Sequence, residues 1–468
     1  MVKLKEFSLV ILAALLLSAS FAPLSIWFSA PIAYALYLKI LSDGKRPILN
    51  SFAFAFIANA LILSWSKTFV GITPWLLLSL LQGLYLIPVG LVARYVKSPV
   101  AWIAALLIVD EIKSYFPFGG FGWTRVAFSQ ADSPFTGLLP IFGVIGLSGA
   151  TLVFSLAIFS PRRAVILSLI SLALISNAPT TQTNIEGSMR VRAVQGGVPE
   201  RGLSFNARAQ AVLDNHIAVT LEESSPTDQL IIWPENAIDV DPIQNKLVSE
   251  KLDLLQQDIQ TPLLAGAILS DEKLFNAALL FDENSKVRST YIKRYLTPFG
   301  EYIPLRSLAS AISPHASSVT DFSPGDIFVS HQIGRYKVSS VICYEILSDQ
   351  IMRESARSSE FIAVLTNSAT FSGSAEGKQQ LNITRIRAIE SGRSVISVST
   401  TGPSAFINYR GEVGENLGDG EVGSIAASVE LRDGQTLATQ YGGIISSFVI
   451  LLCLAFIIFS LSRKRGQS

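Results

Sequence analysis

Cysteine and histidine are scarce in this 468-residue chain, which has two of the first and three of the second. Cys453 lies inside an apolar C-terminal run, so a disulfide to Cys343 is not expected, and nothing supports a zinc site or any other metal centre. His216, His315 and His331 fall in no recognisable motif, which argues against a histidine-based triad and leaves a carboxylate to activate any nucleophile. Charge is scarce as well, with Asp, Glu, Lys and Arg making up 16% of the residues and a formal net charge of +1. Without a basic surplus to neutralise phosphates, no nucleic acid is expected as a partner. What the chain has in quantity is apolar surface: 49% of residues are hydrophobic and the mean hydropathy is +0.43. A wholly soluble protein rarely has this composition.

The apolar residues are concentrated at the two ends. Up to residue 177, apolar segments alternate with short polar turns, each long enough to cross a hydrocarbon core of about 30 Å as a helix. Spans are expected near 6–21, 24–42, 49–66, 73–93, 99–115, 137–159 and 163–177, making a membrane domain of seven transmembrane helices over 1–177, with an eighth over 443–462. Lys3 and Lys5 ahead of the first run give it the look of a secretory signal, but the spans that follow favour an uncleaved anchor.

Lysine and arginine set the orientation. With a cytoplasmic N-terminus, the inside connections hold Lys3, Lys5, Lys45, Arg46, Arg94, Lys97, Arg162 and Arg163, and the basic tail 463–468 returns to the cytoplasm. The outside connections hold only Lys67, Lys113 and Arg125. Asp110, Glu111 and Lys113 close the fifth span, where they either mark the helix end at the interface or face a protein or aqueous interior. The aromatic, glycine-rich connection from Phe116 to Phe135 is either an interfacial belt or part of a lipid-facing site mouth.

Residues 178–188 read as a linker, and at Met189 the composition changes. From 189 to 433, short β-rich runs alternate with helix-compatible stretches such as 203–222, 243–258 and 376–392, which predicts an α/β domain around a buried sheet. Three of its apolar runs end in reactive side chains. Tyr336–Ile342 leads to Cys343-Tyr344-Glu345, Leu230–Trp233 to Pro234-Glu235, and Tyr291-Ile292 to Lys293. A thiol, a carboxylate and an ammonium, each near a strand end, are the parts of an enzyme that attacks an ester or amide through sulfur. Glu235 reads either as the base or as an ordinary loop glutamate, and Lys293 either as an oxyanion partner or as a surface charge. Pro298-Phe299-Gly300-Glu301-Tyr302-Ile303-Pro304 is a stiff loop suited to a site wall.

Together Trp233-Pro234-Glu235, Lys293, the 298–304 loop and Cys343-Tyr344-Glu345 resemble the apolipoprotein N-acyltransferase family. Phe21-Ala22-Pro23 with Trp27, Trp102 with Glu111, and Phe128-Ser129-Gln130 extend the likeness over nearly the whole chain. The resemblance implies a multi-span α-helical membrane domain plus an α/β nitrilase-like αββα sandwich, the latter periplasmic and inserted before the last span of a bacterial inner-membrane protein. It implies that Cys343 attacks the sn-1 ester of a phospholipid acyl donor such as phosphatidylethanolamine, that Glu235 takes the thiol proton and that Lys293 stabilises the oxyanion. The acceptor implied is the N-terminal amine of a diacylated apolipoprotein. Glu301 and Glu345 would shape the site, and Tyr344 and Trp233 would lie near the acyl chain. No cofactor is implied, and the protein is expected to act as a monomer among membrane lipids.

The chain departs from the family pattern after the next strand, where Asn367-Ser368-Ala369-Thr370-Phe371 replaces Asn-Asp-x-Trp-Phe, losing an acid and a tryptophan. Gln379-Gln380, Thr400-Thr401-Gly402 and Gly122 differ too. These changes keep two alternatives open: a membrane-anchored amidase or paralogous acyltransferase with another acceptor, and a non-catalytic membrane transfer or assembly factor that kept the fold.

Overall fold

The computed structural model describes residues 2–68, 71–160, 183–199, 209–312 and 319–465, and the chain divides into two compact units with breaks after Thr180 and Gln440. The first unit contains α1 (Val2–Ala19), α2 (Ser29–Asp43), α3 (Pro47–Ile62), α4 (Ile72–Tyr85), α5 (Ile87–Tyr95), α6 (Pro99–Ile112) and α7 (Leu139–Phe159), together with the C-terminal helix (Leu437–Arg465) from Tyr441 onward. Pro47 and Pro99 open α3 and α6, where a fixed φ suits the first turn and the missing N–H is not needed. The span expected over 73–93 corresponds to Ile72–Tyr95, within which two helical segments meet at Leu86, where Pro88 has no N–H to continue the ladder.

Among the described residues, three stretches are long and apolar enough to cross a membrane: Ile72–Tyr95, Pro134–Phe159 and Leu437–Arg463. Helix α6 has 14 residues and so rises about 21 Å at 1.5 Å per residue. The helix expected over 163–177 lies outside the described residues.

The charges at the end of α6 face the protein interior. Asp110 pairs with Lys113 at 2.9 Å and Glu111 with Arg125 at 2.6 Å, and all four side chains are buried. Ser148 Oγ donates to Asp110 at 2.7 Å and Lys113 Nζ donates to the Thr124 carbonyl at 2.6 Å. This network ties the 116–135 connection to α6 and α7. Within the connection Trp123 and Phe128 are buried, whereas Phe116 and Phe118 are exposed.

Among the described residues, the second unit holds twelve strands in two six-stranded sheets. The first sheet has the order β12-β1-β2-β3-β4-β5, from β1 (Asn184–Gln195), β2 (Leu230–Ile238), β3 (Leu263–Ser270), β4 (Leu274–Phe281), β5 (Val287–Ile292) and β12 (Gly423–Asp433). The second has the order β11-β10-β9-β8-β7-β6, from β6 (Ser330–Ile333), β7 (Tyr336–Ile342), β8 (Phe361–Thr366), β9 (Ser394–Ser399), β10 (Ser404–Ile407) and β11 (Val413–Leu417). Because β1 begins at Asn184, the linker expected over 178–188 is too long at its C-terminal end. Its last residues are already paired, with Asn184 opposite Asp433 on the antiparallel partner β12.

Side chains alternate across each strand, and the alternation builds the layers. Leu230 and Ile232 of β2 pack with Leu264, Val338, Ile342, Phe361 and Val398 in a core between the sheets. Ile231 and Trp233, one residue out of phase, pack outward against Leu213, Val219, Val248 and Leu252, which come from α8 (Ala211–Glu223) and α9 (Lys246–Ile259). On the second sheet the outer layer is α11 (Asp349–Ser358) and α12 (Glu376–Ser391), a short α10 (Arg306–Ile312) preceding them in the chain. Helix, sheet, sheet and helix make the expected αββα sandwich. Asn245 caps α9 by accepting from the Leu247 and Val248 N–H groups. Of the stretch expected as helix over 203–222, the described part forms α8, while 243–258 and 376–392 coincide with α9 and α12.

Candidate active site

Three strands deliver the reactive side chains. Cys343 follows β7 directly and opens a 3-10 turn. Its backbone sits at φ 50°, a left-handed conformation that costs a residue with a Cβ about 1–3 kcal/mol and is held only by surrounding structure. The holding group is Glu345, whose Oε2 accepts from the Ile342 N–H at 2.8 Å. Its Oε1 accepts from Tyr291 Oη at 2.8 Å and from the Arg294 and Tyr295 N–H groups. Tyr344 is buried and stacks on Tyr295 with ring centroids 5.4 Å apart.

Glu235 sits where the pairing of β2 with β3 breaks down. Trp233 is opposite Ala265 and Ile238 opposite Ala267, so the residues between them bulge against Gly266 alone. Pro234 cannot donate to the ladder, and Asn236 turns left-handed at φ 56°. A Cβ at Gly266 would lie 2.3 Å from the Pro234 carbonyl oxygen and 2.6 Å from Glu235 Cα, so the bulge requires glycine there. Lys293 follows β5, its N–H bonded to the Asn276 carbonyl at 2.8 Å.

The side chains converge. Lys293 Nζ lies 3.1 Å from Glu235 Oε1 and 2.8 Å from Glu301 Oε2, and is almost wholly buried. Burial alone would lower the lysine pKa, but the Glu235 and Glu301 charges outweigh it and hold the ammonium charged. Burial would raise Glu301, yet the Lys293 charge with bonds from Lys293, the Thr297 N–H and Asn276 keeps it below the ordinary value. Cys343 is half-buried. Loss of water, then the Glu235 charge, push its thiol well above the ordinary range, against the pull of Lys293. The resting sulfur is therefore protonated, and a base must take its proton before it can attack.

Two residues of this cluster were not singled out from the sequence. Asn276, on β4, donates from Nδ2 to Glu235 Oε1 and to Glu301 Oε1, both at 2.7 Å. Glu376, the first residue of α12, is buried and interacts electrostatically with Cys343 and Glu235. Trp233 is not brought into the cluster. Its ring is fully buried under α8 with Nε1 donating to Thr220 Oγ1 at 3.0 Å, because its strand position points to the helix layer. His216 and His331 are also buried elsewhere, each pushed down to about 4 by desolvation.

Residues 190–439 match the carbon-nitrogen hydrolase family and residues 13–157 the apolipoprotein N-acyltransferase N-terminal domain. The chain belongs to the apolipoprotein N-acyltransferase family. It is 29% identical to the apolipoprotein N-acyltransferase of Mycolicibacterium smegmatis, covering 94% of this chain and 83% of the relative. The corresponding protein of Haemophilus ducreyi is 26% identical, with 95% of each covered. The chain is also similar to the crystal structure of an amidase from Nesterenkonia sp., at 19% identity and a TM-score of 0.41, over 54% of this chain and 94% of that one.

Within this N-acyltransferase family, the altered 367–371 loop has a specific consequence in the present chain. The Asn367 N–H donates to Glu235 Oε2 at 2.9 Å, so the loop backbone still supports the carboxylate. The Ser368 hydroxyl hydrogen-bonds Glu376. α12 thus brings an acid beside this loop through space. Burial pushes the Glu376 carboxyl up to about 7 despite the Ser368 bond, with Asp419 and Glu235 adding to the rise.

Proposed function

We propose that this protein transfers an acyl chain from the sn-1 ester of a phospholipid, phosphatidylethanolamine above others, to the N-terminal amine of diacylglyceryl-cysteine in apolipoproteins, the last step of lipoprotein maturation. The observation that carries the reading is the buried Lys293 ammonium paired to Glu235 and Glu301 next to the half-buried Cys343 thiol, in a chain whose other unit is rich in apolar helices.

In the first half-reaction Glu235 takes the Sγ proton and the thiolate adds to the ester carbonyl. Lys293 is already charged and stabilises the oxyanion without reorganising. Collapse breaks the ester C–O bond, the lysophospholipid oxygen takes the proton from Glu235, and the acyl chain remains as a thioester on Cys343. In the second half-reaction the acceptor amine attacks the thioester, the C–S bond breaks and the sulfur regains its proton. One pocket thereby serves two bulky lipids in turn. Glu301, Glu345 and Tyr344 act by holding Lys293 and the Cys343 turn in place. The bias of lysine and arginine among the short connections sets the reading in a bacterial inner membrane, with the sandwich periplasmic and both ends cytoplasmic.

The test is incubation of the purified protein with labelled phospholipid and a diacylated lipopeptide. Label is expected on Cys343 and then on the lipopeptide amine, with none on either in Cys343→Ala. In Lys293→Met the thioester should form at least a hundredfold more slowly, since a fixed oxyanion partner is worth about 3–4 kcal/mol in barrier. Equal transfer by wild type and Cys343→Ala would overturn the proposal. A thioester that turns over only to water or to another amine would favour the amidase or paralogous-acyltransferase reading, and full complementation of a null strain by Cys343→Ala would favour the non-catalytic one.

A further inference from the structure

The carboxylates around Cys343 differ in how their oxygens are occupied. Glu235 accepts Lys293 Nζ and Asn276 Nδ2 at Oε1 and the Asn367 N–H at Oε2. Glu301 accepts Asn276 at one oxygen and Lys293 and the Thr297 N–H at the other. Glu345 has donors on both. Glu376 receives the Ser368 hydroxyl, but its Oε2 is buried and has no hydrogen-bond partner among the described residues. A buried carboxylate oxygen without a donor is unfavourable by about 1–3 kcal/mol or more, and its natural complement is an N–H donor brought by a ligand. In the acyl-transfer reading, on which this inference rests, the only N–H donor of a phosphatidylethanolamine is its headgroup ammonium, many bonds from the ester carbonyl that reacts. The second substrate brings an ammonium whose nitrogen is itself the reacting atom.

We infer that Glu376 is the acceptor-side base: its free Oε2 receives the N-terminal ammonium of the incoming lipopeptide, takes one proton from it and delivers the neutral amine to the Cys343 thioester.

The step balances. One N–H bond of the ammonium breaks and its proton resides on Glu376. The amine nitrogen forms a C–N bond to the acyl carbon, the C–S bond breaks, and the second amine proton passes to the departing sulfur. Glu376 later loses its proton to solvent. A charged carboxylate–ammonium contact in a water-poor pocket is also the stronger kind of hydrogen bond. Ser368 after β8 donates to Glu376, and the charges of Asp419 between β11 and β12 and of Glu235 on β2 act on it, as it acts on Cys343 after β7. Asp419 is engaged with the Gly373 N–H at 2.7 Å and Ser372 Oγ at 3.4 Å. Glu235 is engaged with Lys293. With a carboxyl pushed up to about 7 by burial, Glu376 is poised to exchange a proton with an α-amine of ordinary pKa near 8.

Single-turnover kinetics on full-length protein separate this proposal from the activity it rests on. Glu376→Gln should form the labelled Cys343 thioester and then retain it, with transfer to a diacylated lipopeptide at least tenfold slower at pH 7. The accumulated thioester itself reports that the variant is folded. The wild-type transfer rate should rise with a midpoint near pH 7, whereas in the variant the rise should move toward pH 8, following the amine alone. Transfer at the wild-type rate with an unmoved pH profile would overturn the assignment, and so would failure of the variant to form the thioester. Absence of any thioester in wild type would overturn the acyl-transfer reading and this inference with it.

Discussion

A single amide group, Nδ2 of Asn276, bonds two carboxylates at 2.7 Å each, and so fixes the spacing of the pair that flanks Lys293. Removing a hydrogen bond to a charged group is worth about 1.5–3 kcal/mol. Asn276→Leu is therefore expected to slow thioester formation ten- to a hundredfold, read by labelled phospholipid, while far-UV circular dichroism stays unchanged. The thiol gives a second residue-level prediction. Because burial and Glu235 raise its pKa, iodoacetamide should alkylate Cys343 slowly near neutrality in a Cys453→Ser background, the rate climbing beyond about pH 9. Lys293→Met removes the positive charge that lowers it and should move the climb higher still. Fast, pH-independent labelling would contradict this. Cys343, Glu235 and Lys293 were legible because each terminates an apolar run. Asn276 was not, since it sits inside the run Leu274–Phe281, where one polar residue carries no signal of what it faces. Glu376 was hidden differently: an acid in the first turn of a helix is ordinary by dipole arguments, and its neighbour Ser368 is close only in space.

At the scale of elements, the bulge in β2 depends on its partner strand. Gly266→Ala puts a methyl group against the Pro234 carbonyl oxygen and Glu235 Cα, neither of which belongs to a flexible side chain. Activity is expected to fall at least tenfold through displacement of Glu235, with a measurable drop in Tm. Gly414→Ala, where a Cβ would meet nothing nearer than 3.6 Å, should change neither. The strands themselves were readable from β-branched runs, and so were α9 and α12 from their polar, helix-compatible composition. What composition could not give was the start of β1, since Asn184–Ser188 is largely exposed and has no apolar rhythm, nor the break at Leu86, which depends on how one proline meets its preceding turn. The left-handed turn at Cys343 was likewise invisible, because its support comes from Glu345 and from backbone groups fifty residues upstream.

For the whole molecule, the C-terminal helix presents Ile444, Phe448, Leu451, Ile458 and Phe459 outward, Ile444 at 70% exposure. Apolar side chains exposed over such a length call for lipid around them. The orientation drawn from lysine and arginine placement gives a direct expectation. In a Cys343→Ala, Cys453→Ser background, a membrane-impermeant maleimide added to intact spheroplasts should label Val422→Cys in the sandwich but leave a cysteine appended after the C-terminus untouched until the cells are permeabilised. The reverse pattern would invert the topology. The pairing of β1 with β12, which sets Asn184 opposite Asp433, bears on ancestry. A sandwich whose point of entry and point of exit are neighbours on one edge behaves as a cassette, because a single recombination into a short surface connection can install it whole. The same chemistry can then be carried on an unanchored body or grafted into a bilayer-embedded host, without unpicking the strand order of either parent.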